Sequence, residues 1–434
     1  MGRAAGNIYQ GYAGHGQRRY GADDYDEEES RRMMSKKIAV ICQRYGLEVN
    51  GGAEYYAREI AERLADRYEV EVLTTCAVDY VTWNNTYEEG VCDVNGIKVI
   101  RFKSEEPRSP HFGDIDTELR SHPHPSMELQ EKWLRAQGPY CPKLPAYLKE
   151  HLDEYDAVIC VTYLYYPASK CIEVAGKKAI FIPTAHTEPY LYMSYYRDAF
   201  TKCGGFVFLT HEEADLVHKV FHNEDIPYEI CGVGVDVPGK VDPEAFKKKY
   251  GVDDYIVYVG RIDAGKGCDV LFRYFAEYKK RNPQRATKLV LMGKPVLQIP
   301  KDENIRPLGF VSEEDKFNGI KGAKALILPS QYESLSIAVL EAMRESVPVI
   351  VNGACDVLRG HCIRSNGGLY YRNYFEFEGC LNYLYDHPEE YSVMCANARA
   401  YVDRDYQWNA IAKKFDRIIG AVSGNPVSGK KGEE

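Results

Sequence analysis

A two-domain α/β fold is what the sequence predicts, and three observations carry that prediction. Short apolar runs alternate with stretches of helical periodicity along most of the chain, the pattern of parallel strands joined by helices. The alternation starts twice in the same way, as strand, glycine-bearing loop and helix: Ile38 to Cys42 precedes Gly51 and Gly52, and Tyr255 to Gly260 precedes Gly265 and Gly267. A length of 434 residues, 45% of them hydrophobic, is enough for two cores. The expected division is a disordered tail over 1–36, a Rossmann-like domain over 37–235, and a second over 236–407. A terminal helix over 408–419 is expected to brace the first domain, with a flexible tail over 420–434.

The formal charge of -9, from 64 acidic and 55 basic residues, argues against a nucleic-acid partner and leaves room only for a local phosphate site. No apolar run has the length of a membrane span, and none near the amino end resembles a secretion signal, so a cytoplasmic protein is expected. The 13 cysteines are odd in number and form no C-x-x-C pair, which predicts free and mostly buried thiols. Cys355, His361 and Cys362 cluster locally but lack a matching partner pair, and no metal site is expected.

In the first half, the helix Glu54 to Tyr68 carries Ala57, Ile60, Ala61 and Leu64 on one face. The glycine pair Gly51 and Gly52 before it lets backbone N–H groups approach an anion, although a plain turn would look the same and the G-x-G-x-x-G pattern is absent. Val70 to Thr74 and Ile97 to Phe102 continue the strands. Ser104 to Cys141 then breaks the alternation and reads as a specificity loop or lid, with a helix around Met127 to Ala136. Within it, His122 and His124 alternate with prolines as in a surface loop. Tyr155 to Val161 and Lys178 to Ile182 resume the strands, and the second places His186 near the carboxyl edge of the sheet. Glu188 to Phe200 is rich in tyrosine and is expected in the cleft as a hydrogen-bonding platform, in preference to packing between domains. Thr210 caps a helix over Glu212 to Val220, and Cys231 to Asp236 crosses to the second domain.

In the second half, Arg261 and Lys266 share one short loop between strand and helix. Two cations there, with glycine freeing the backbone, suit a diphosphate better than a surface ion pair. The Walker spacing is absent. Lys288 to Met292, Ile305 to Pro307 and a helix over Ser312 to Ile320 lead into Ala323 to Ile350, AKALILPSQYESLSIAVLEAMRESVPVI, read as strand, loop, helix and strand. Glu333 lies in that loop, and Glu341 is a little over two helical turns later if the helix begins near Glu333. A carboxylate at the carboxyl end of a parallel strand faces the crevice where ligands of open sheets bind, although Glu333 could instead cap the helix and Glu341 stand in solvent. GHCIRSNGGLYY, 360–371, reads as a loop with a tight bend at Gly367 and Gly368, followed by helices over Phe375 to Tyr385 and Glu389 to Tyr401.

Taken in order, the phrases YVGRIDAGKG, LMG, GFVSEEDK, ILPSQYESLSIAVLEAM and VPVI resemble the large family of retaining, nucleotide-sugar-dependent glycosyltransferases with the GT-B architecture, the family-four or group 1 type. The match extends over about Lys37 to Ile419. It implies two Rossmann-like domains facing across a cleft, the first on the acceptor side, and transfer of a hexosyl unit from a UDP- or GDP-sugar to a hydroxyl. No cofactor is implied. The resemblance assigns the donor diphosphate to Arg261 and Lys266, the donor sugar to Glu333, the ribose hydroxyls to Glu341, the opposite edge of the cleft to Gly51 and Gly52, and transition-state assistance to His186. It also implies a glycan or lipid-linked acceptor, cell-surface polysaccharide assembly, and peripheral contact with the inner face of the membrane as an open option. Two departures stand out: Ser334, Leu335 and Ser336 replace the family's glycine-rich phrase, and Ser346 replaces a common glycine, at little cost if its backbone angles are ordinary. The rival readings are a hydrolase working through Glu333 and Glu341, a binding protein without turnover, and an epimerase on the same fold.

Overall fold

The computed structural model describes residues 36–49 and 51–424; of the tails expected over 1–36 and 420–434, residues 1–35 and 425–434 lie outside the described residues. The first lobe is built on β1 (Lys37–Ile41), β2 (Glu69–Thr75), β3 (Gly90–Val94), β4 (Ile97–Phe102), β5 (Ala157–Val161), β6 (Ala179–Ile182), β7 (Gly205–Phe208) and β8 (Tyr228–Ile230). They form one sheet in the order 3-4-2-1-5-6-7-8. The second lobe holds β9 (Tyr255–Val259), β10 (Lys288–Met292), β11 (Ile305–Gly309), β12 (Leu326–Leu328), β13 (Val349–Asn352) and β14 (Gly368–Tyr371), in the order 11-10-9-12-13-14. Its pairs are all parallel. Helices cover both faces, which is why β1, β5, β6, β9 and β12 read as unbroken apolar runs.

The crossing between lobes is set by close packing. Gly232 has φ +62°, and a Cβ there would lie 2.6 Å from the Tyr406 ring, while Gly234 lies flat against Trp408. The helix Trp408–Val422 that follows lies on the first lobe: the Tyr68 hydroxyl donates to Asp416 at 2.8 Å, and Lys414 Nζ donates to the Ile230 carbonyl at 2.6 Å. Its last turn reaches Val422, so Gly420 to Val422, expected to be loose, are helical.

Several expectations are corrected. β3 and β4 form an antiparallel hairpin through Asn95 (φ +54°) and Gly96 (φ +81°), the signature of an Asn-Gly turn, although Val91 and Cys92 are exposed on this edge strand. The 104–141 segment, expected as a specificity loop or lid, is an ordered, packed part of the first lobe. Its helices Phe112–Ser121 and Met127–Gln137 bury Ile115, Leu119, Trp133 and Leu134 against the first sheet. The tyrosine-rich segment is mainly core, because the hydrophobic area of Leu191, Met193 and Tyr196 is taken up there; Trp133 stacks on Tyr190 at 4.6 Å, and Tyr192 alone of its tyrosines is strongly exposed. The 360–371 segment opens in a helix, Asp356–Ser365. Among the described residues no helix is long and apolar enough to cross a membrane.

Ser346, between the helix Ile337–Arg344 and β13, has φ +61°. Its backbone is therefore in the left-handed region, and the cost is not negligible. Ser346→Gly should raise the free energy of unfolding by roughly 0.5–1 kcal/mol, the left-handed penalty less the entropy that glycine loses; chemical denaturation of the two proteins side by side measures it.

Candidate active site

The carboxyl ends of β9, β10 and β12 come together through glycine. A Cβ on Gly293 (φ +145°), which follows β10, would fall on the Gly260 carbonyl after β9, and one on Gly267 would lie 2.6 Å from the Pro329 carbonyl after β12. Backbone at these points approaches backbone directly, which only glycine permits. Asp263 then organises the loop from within. Its Oδ1 accepts from the Lys266 N–H at 2.8 Å, and its other oxygen takes the Arg261 guanidinium. The Lys266 side chain crosses to the next loop and donates to Glu333 Oε1 at 2.6 Å. Arg261, Lys266 and Glu333 are thus brought to the loops that follow the two central strands of the second sheet.

Glu333 neither caps the following helix nor lies on it. The helix Ile337–Arg344 starts after Ser336, which has φ +66°, and its first turn has no side-chain cap and no acidic residue. Its exposed N–H groups leave a positive end beside Glu333's loop. Because the helix starts late, Glu341 is only in its second turn. Glu341 is buried and accepts from Lys316 Nζ at 2.8 Å; Lys316 also reaches Glu313 at 2.7 Å. Burial raises the Glu341 carboxyl while Lys316 pulls it back. Glu341 therefore belongs to the flank of the site near the helix Glu313–Gly322, not to the Lys266 pair.

Across the cleft, His186 follows β6 on a loop tied down by a buried carboxylate. Glu213 Oε1 accepts from the Ala185 N–H at 2.6 Å and Oε2 from the Leu209 N–H at 2.7 Å, so one side chain fixes the ends of β6 and β7. Burial pushes the Glu213 carboxyl up to about 8, and the backbone donors oppose that shift. The His186 ring faces the Tyr332 ring, next to Glu333, at 5.8 Å between centroids. Gly51 and Gly52 open the helix Gly52–Leu64, with Gly51 pressed against Glu54 and Arg44. Arg44 donates from Nε to Glu54 at 2.9 Å and stands over the Tyr80 ring, whose hydroxyl accepts from Arg261 Nη1 at 2.9 Å. The glycine pair is thus linked to the cation loop through Arg44 and Tyr80. Among the described residues no group of three or more His, Cys, Asp or Glu is placed to hold a metal.

Two further residues support the site, Tyr80 at the Arg261 loop and His361 at the Glu333 loop; the sequence offered no signal for the first and only the Cys355, His361 and Cys362 cluster for the second. Tyr80 sits in a polar loop without periodicity. His361, fully buried, is a brace: one ring nitrogen, Nε2, donates to the Leu335 carbonyl at 2.8 Å, and Nδ1 accepts from the Tyr401 hydroxyl at 3.0 Å. Glu213 carried a detectable signal, since Thr210 and Glu213 have capping-box spacing; Thr210 Oγ1 does accept from the Glu213 N–H, at 3.2 Å.

Residues 242–401 match the model of the glycosyl transferases group 1 family. The chain is a GT-B-fold glycosyltransferase with a group 1 domain. It is 22% identical to an uncharacterized glycosyltransferase of Methanocaldococcus jannaschii over 87% of this chain and 96% of that one. Among solved structures it is similar to Anabaena HepE in complex with UDP and glucose, at 14% identity and a TM-score of 0.64, covering 89% of this chain and 100% of that one. The sucrose-phosphate synthase of Thermosynechococcus elongatus is similar at 15% identity and a TM-score of 0.63, covering 88% and 98%.

Burial holds the His361 imidazole down at about 4, against an ordinary 6.5. Between those values the unfolded chain takes up a proton that the folded one refuses, so the stabilisation is present above pH 6.5 and is lost as pH falls towards 4. Measured by denaturation across this window, the advantage of wild type over His361→Gln should shrink on acidification by up to about 3 kcal/mol.

Proposed function

We propose that this glycosyltransferase moves a hexosyl unit from a UDP- or GDP-sugar to a hydroxyl of a glycan or lipid-linked acceptor, with retention at the anomeric carbon, in cell-surface polysaccharide assembly. The observation that carries the reading is the meeting of Arg261, Lys266 and Glu333 at the carboxyl ends of β9 and β12, beside the amino end of the helix Ile337–Arg344. Breaking the bond to the sugar leaves negative charge on the diphosphate, and two preorganised cations with a helix amino end stabilise that charge as it develops. Lys266 turns from Glu333 to the phosphate, which frees the Glu333 carboxylate to accept from the sugar hydroxyls. Glu333 acts as a positioning and electrostatic group, not as a covalent nucleophile. Glu341 accepts from the ribose hydroxyls, whose O–H groups suit a carboxylate. Gly51 and Gly52 form the facing edge, and His186 reaches the sugar from the acceptor side. The acceptor enters on the face the leaving group departs from, and its proton passes to the departing phosphate.

Hydrolysis by Glu333 and Glu341 as an acid/base pair would require both carboxyls to flank one bond. Each is instead charge-paired to a separate lysine on a separate element, Lys266 for one and Lys316 for the other. The enzyme is assigned to the cytoplasm, with peripheral contact at the inner face of the membrane where a lipid-linked acceptor would present its sugar.

Calorimetry with UDP-glucose, UDP-N-acetylglucosamine, GDP-mannose and ADP-glucose, without and then with magnesium, should find one nucleobase bound selectively; a folded protein that binds none of them would overturn the assignment. Lys266→Ala should lower kcat/KM about 10²–10³-fold, the cost of removing one donor from a developing anion, while Glu341→Ala should act mainly on the donor KM. Full transfer activity in Lys266→Ala would sink the diphosphate site.

A further inference from the structure

Beside His186 the structure holds a second carboxylate that the proposed chemistry leaves unused. Glu188 is almost fully buried, with 12% of its side chain exposed, and lies 3.5 Å from His186 Nε2 through Oε2. Its other oxygen, Oε1, accepts from the Tyr163 hydroxyl at 2.6 Å. Tyr163 is itself buried at the end of β5, edge-on to the Tyr196 ring at 4.9 Å, and cannot swing away without opening the core. The carboxylate is thus fixed on one side by a rigid phenol and presents its free oxygen to an imidazole. Burial raises the Glu188 carboxyl, against the pull of His186 and Tyr163.

The backbone at the same place is strained. Thr162 (φ +69°) and Thr184 (φ +55°), the residues just beyond β5 and at the His186 turn, are both β-branched and both left-handed, and their hydroxyls meet at 3.2 Å. Two such residues side by side cost energy that the surroundings must hold in place, and strain of this kind concentrates where a side chain has to be aimed. What Thr162 and Thr184 aim is Tyr163 and the 185–188 turn, that is, the hydroxyl, the imidazole and the carboxylate of this chain of contacts.

We propose that Glu188, anchored by Tyr163, is a positioning residue for His186: it accepts the Nε2–H, fixes the tautomer and ring plane, and leaves Nδ1 as the ring atom presented to a hydroxyl of the substrate. A carboxylate that holds one imidazole nitrogen sets what the other can do. The ring so held lies against Tyr332, one residue before Glu333, so the orientation of His186 is defined from both lobes. This inference rests on the assignment of His186 to the sugar side of the cleft.

The test joins a readout that needs no substrate to one that does. In the full-length protein labelled with ¹⁵N-histidine, the His186 resonances, assigned by their loss in His186→Ala, should report the Nε2–H tautomer. In Glu188→Ala they should report a mixture. Tyr163→Phe should move them in the same direction by less. With water as acceptor, release of UDP from UDP-glucose or of GDP from GDP-mannose should fall about 10–100-fold in kcat in Glu188→Ala with donor KM within about 3-fold, a split that loss of packing would not give. Partial recovery in Glu188→Gln, whose amide oxygen still accepts from Nε2–H, is expected. An unchanged tautomer in Glu188→Ala overturns the proposal, and if that variant does not fold, an unchanged tautomer in Tyr163→Phe does so. Should the tautomer respond to Glu188 while His186→Ala releases nucleotide at the wild-type rate, the positioning stands and it is the catalytic assignment of His186 that fails.

Discussion

The setting of one lobe against the other depends on a double crossing packed without clearance. The chain leaves the first lobe through Gly232 to Val235 and returns through Tyr406 to Trp408, and the two passages are joined where the Val235 N–H donates to the Tyr406 carbonyl at 3.2 Å. Tyr406 and Trp408 occupy the space that side chains at Gly232 and Gly234 would need. The returning helix is then clamped to the first lobe by Asp416, Lys414 and Arg417. The stack leaves no room for a side chain at either glycine, and interiors packed at crystal-like density do not deform smoothly. The same stack reaches the site. The Tyr406 hydroxyl lies 2.9 Å from that of Tyr401, which donates to His361, which donates to the Leu335 carbonyl in the Glu333 loop.

Around the cleft the protein handles four carboxylates in four ways, and the differences sort their roles. Glu213 is met by backbone N–H groups and serves architecture. Glu341 is buried with an ammonium. Glu188 is shared between a phenol and an imidazole. Glu333 is held by Lys266, the more exposed of the two lysine partners, with 32% of its side chain exposed against 15% for Lys316. A charge desolvated beside a buried partner is costly to separate, whereas a pair open to water exchanges partners at little expense. Lys266 and Glu333 are therefore the pair suited to being parted by a ligand, and Lys316 and Glu341 the pair suited to staying together.

Much of this was legible in the chain because parallel strands and their helices impose apolar runs of fixed period. The strand Ile97 to Phe102, the cap at Thr210 and the Arg261 loop all follow from local residue chemistry. What escaped was decided elsewhere. The β3 strand is exposed and carries no apolar pattern, so only its Asn-Gly turn could have disclosed it. The proline-rich 104–141 segment and the tyrosines after His186 look like loop and platform when read separately. They are core because Trp133 and Tyr190 stack on each other and share Asp116, a pairing across more than fifty residues that no local window contains. Glu333, read near the start of a helix, proved to stand before it, because Ser336 turns left-handed first.

That turn explains why the loop needs so many fastenings. With glycine at this point a left-handed backbone would be nearly free, but at Ser336 it carries a penalty of about 1–2 kcal/mol, and an unrestrained loop would relax and carry Glu333 with it. The carbonyls on either side are held instead: Asn352 Nδ2 donates to Pro329 at 3.0 Å, and His361 donates to Leu335 at 2.8 Å. Lys266 holds Glu333 between them. Each bond has its donor on a different element, so the loop's shape is determined by the second lobe as a whole and not by its own sequence. His361 holds the carbonyl next to the serine at 336; burial keeps its ring neutral, and the carbonyl and the phenol give each of its nitrogens a partner.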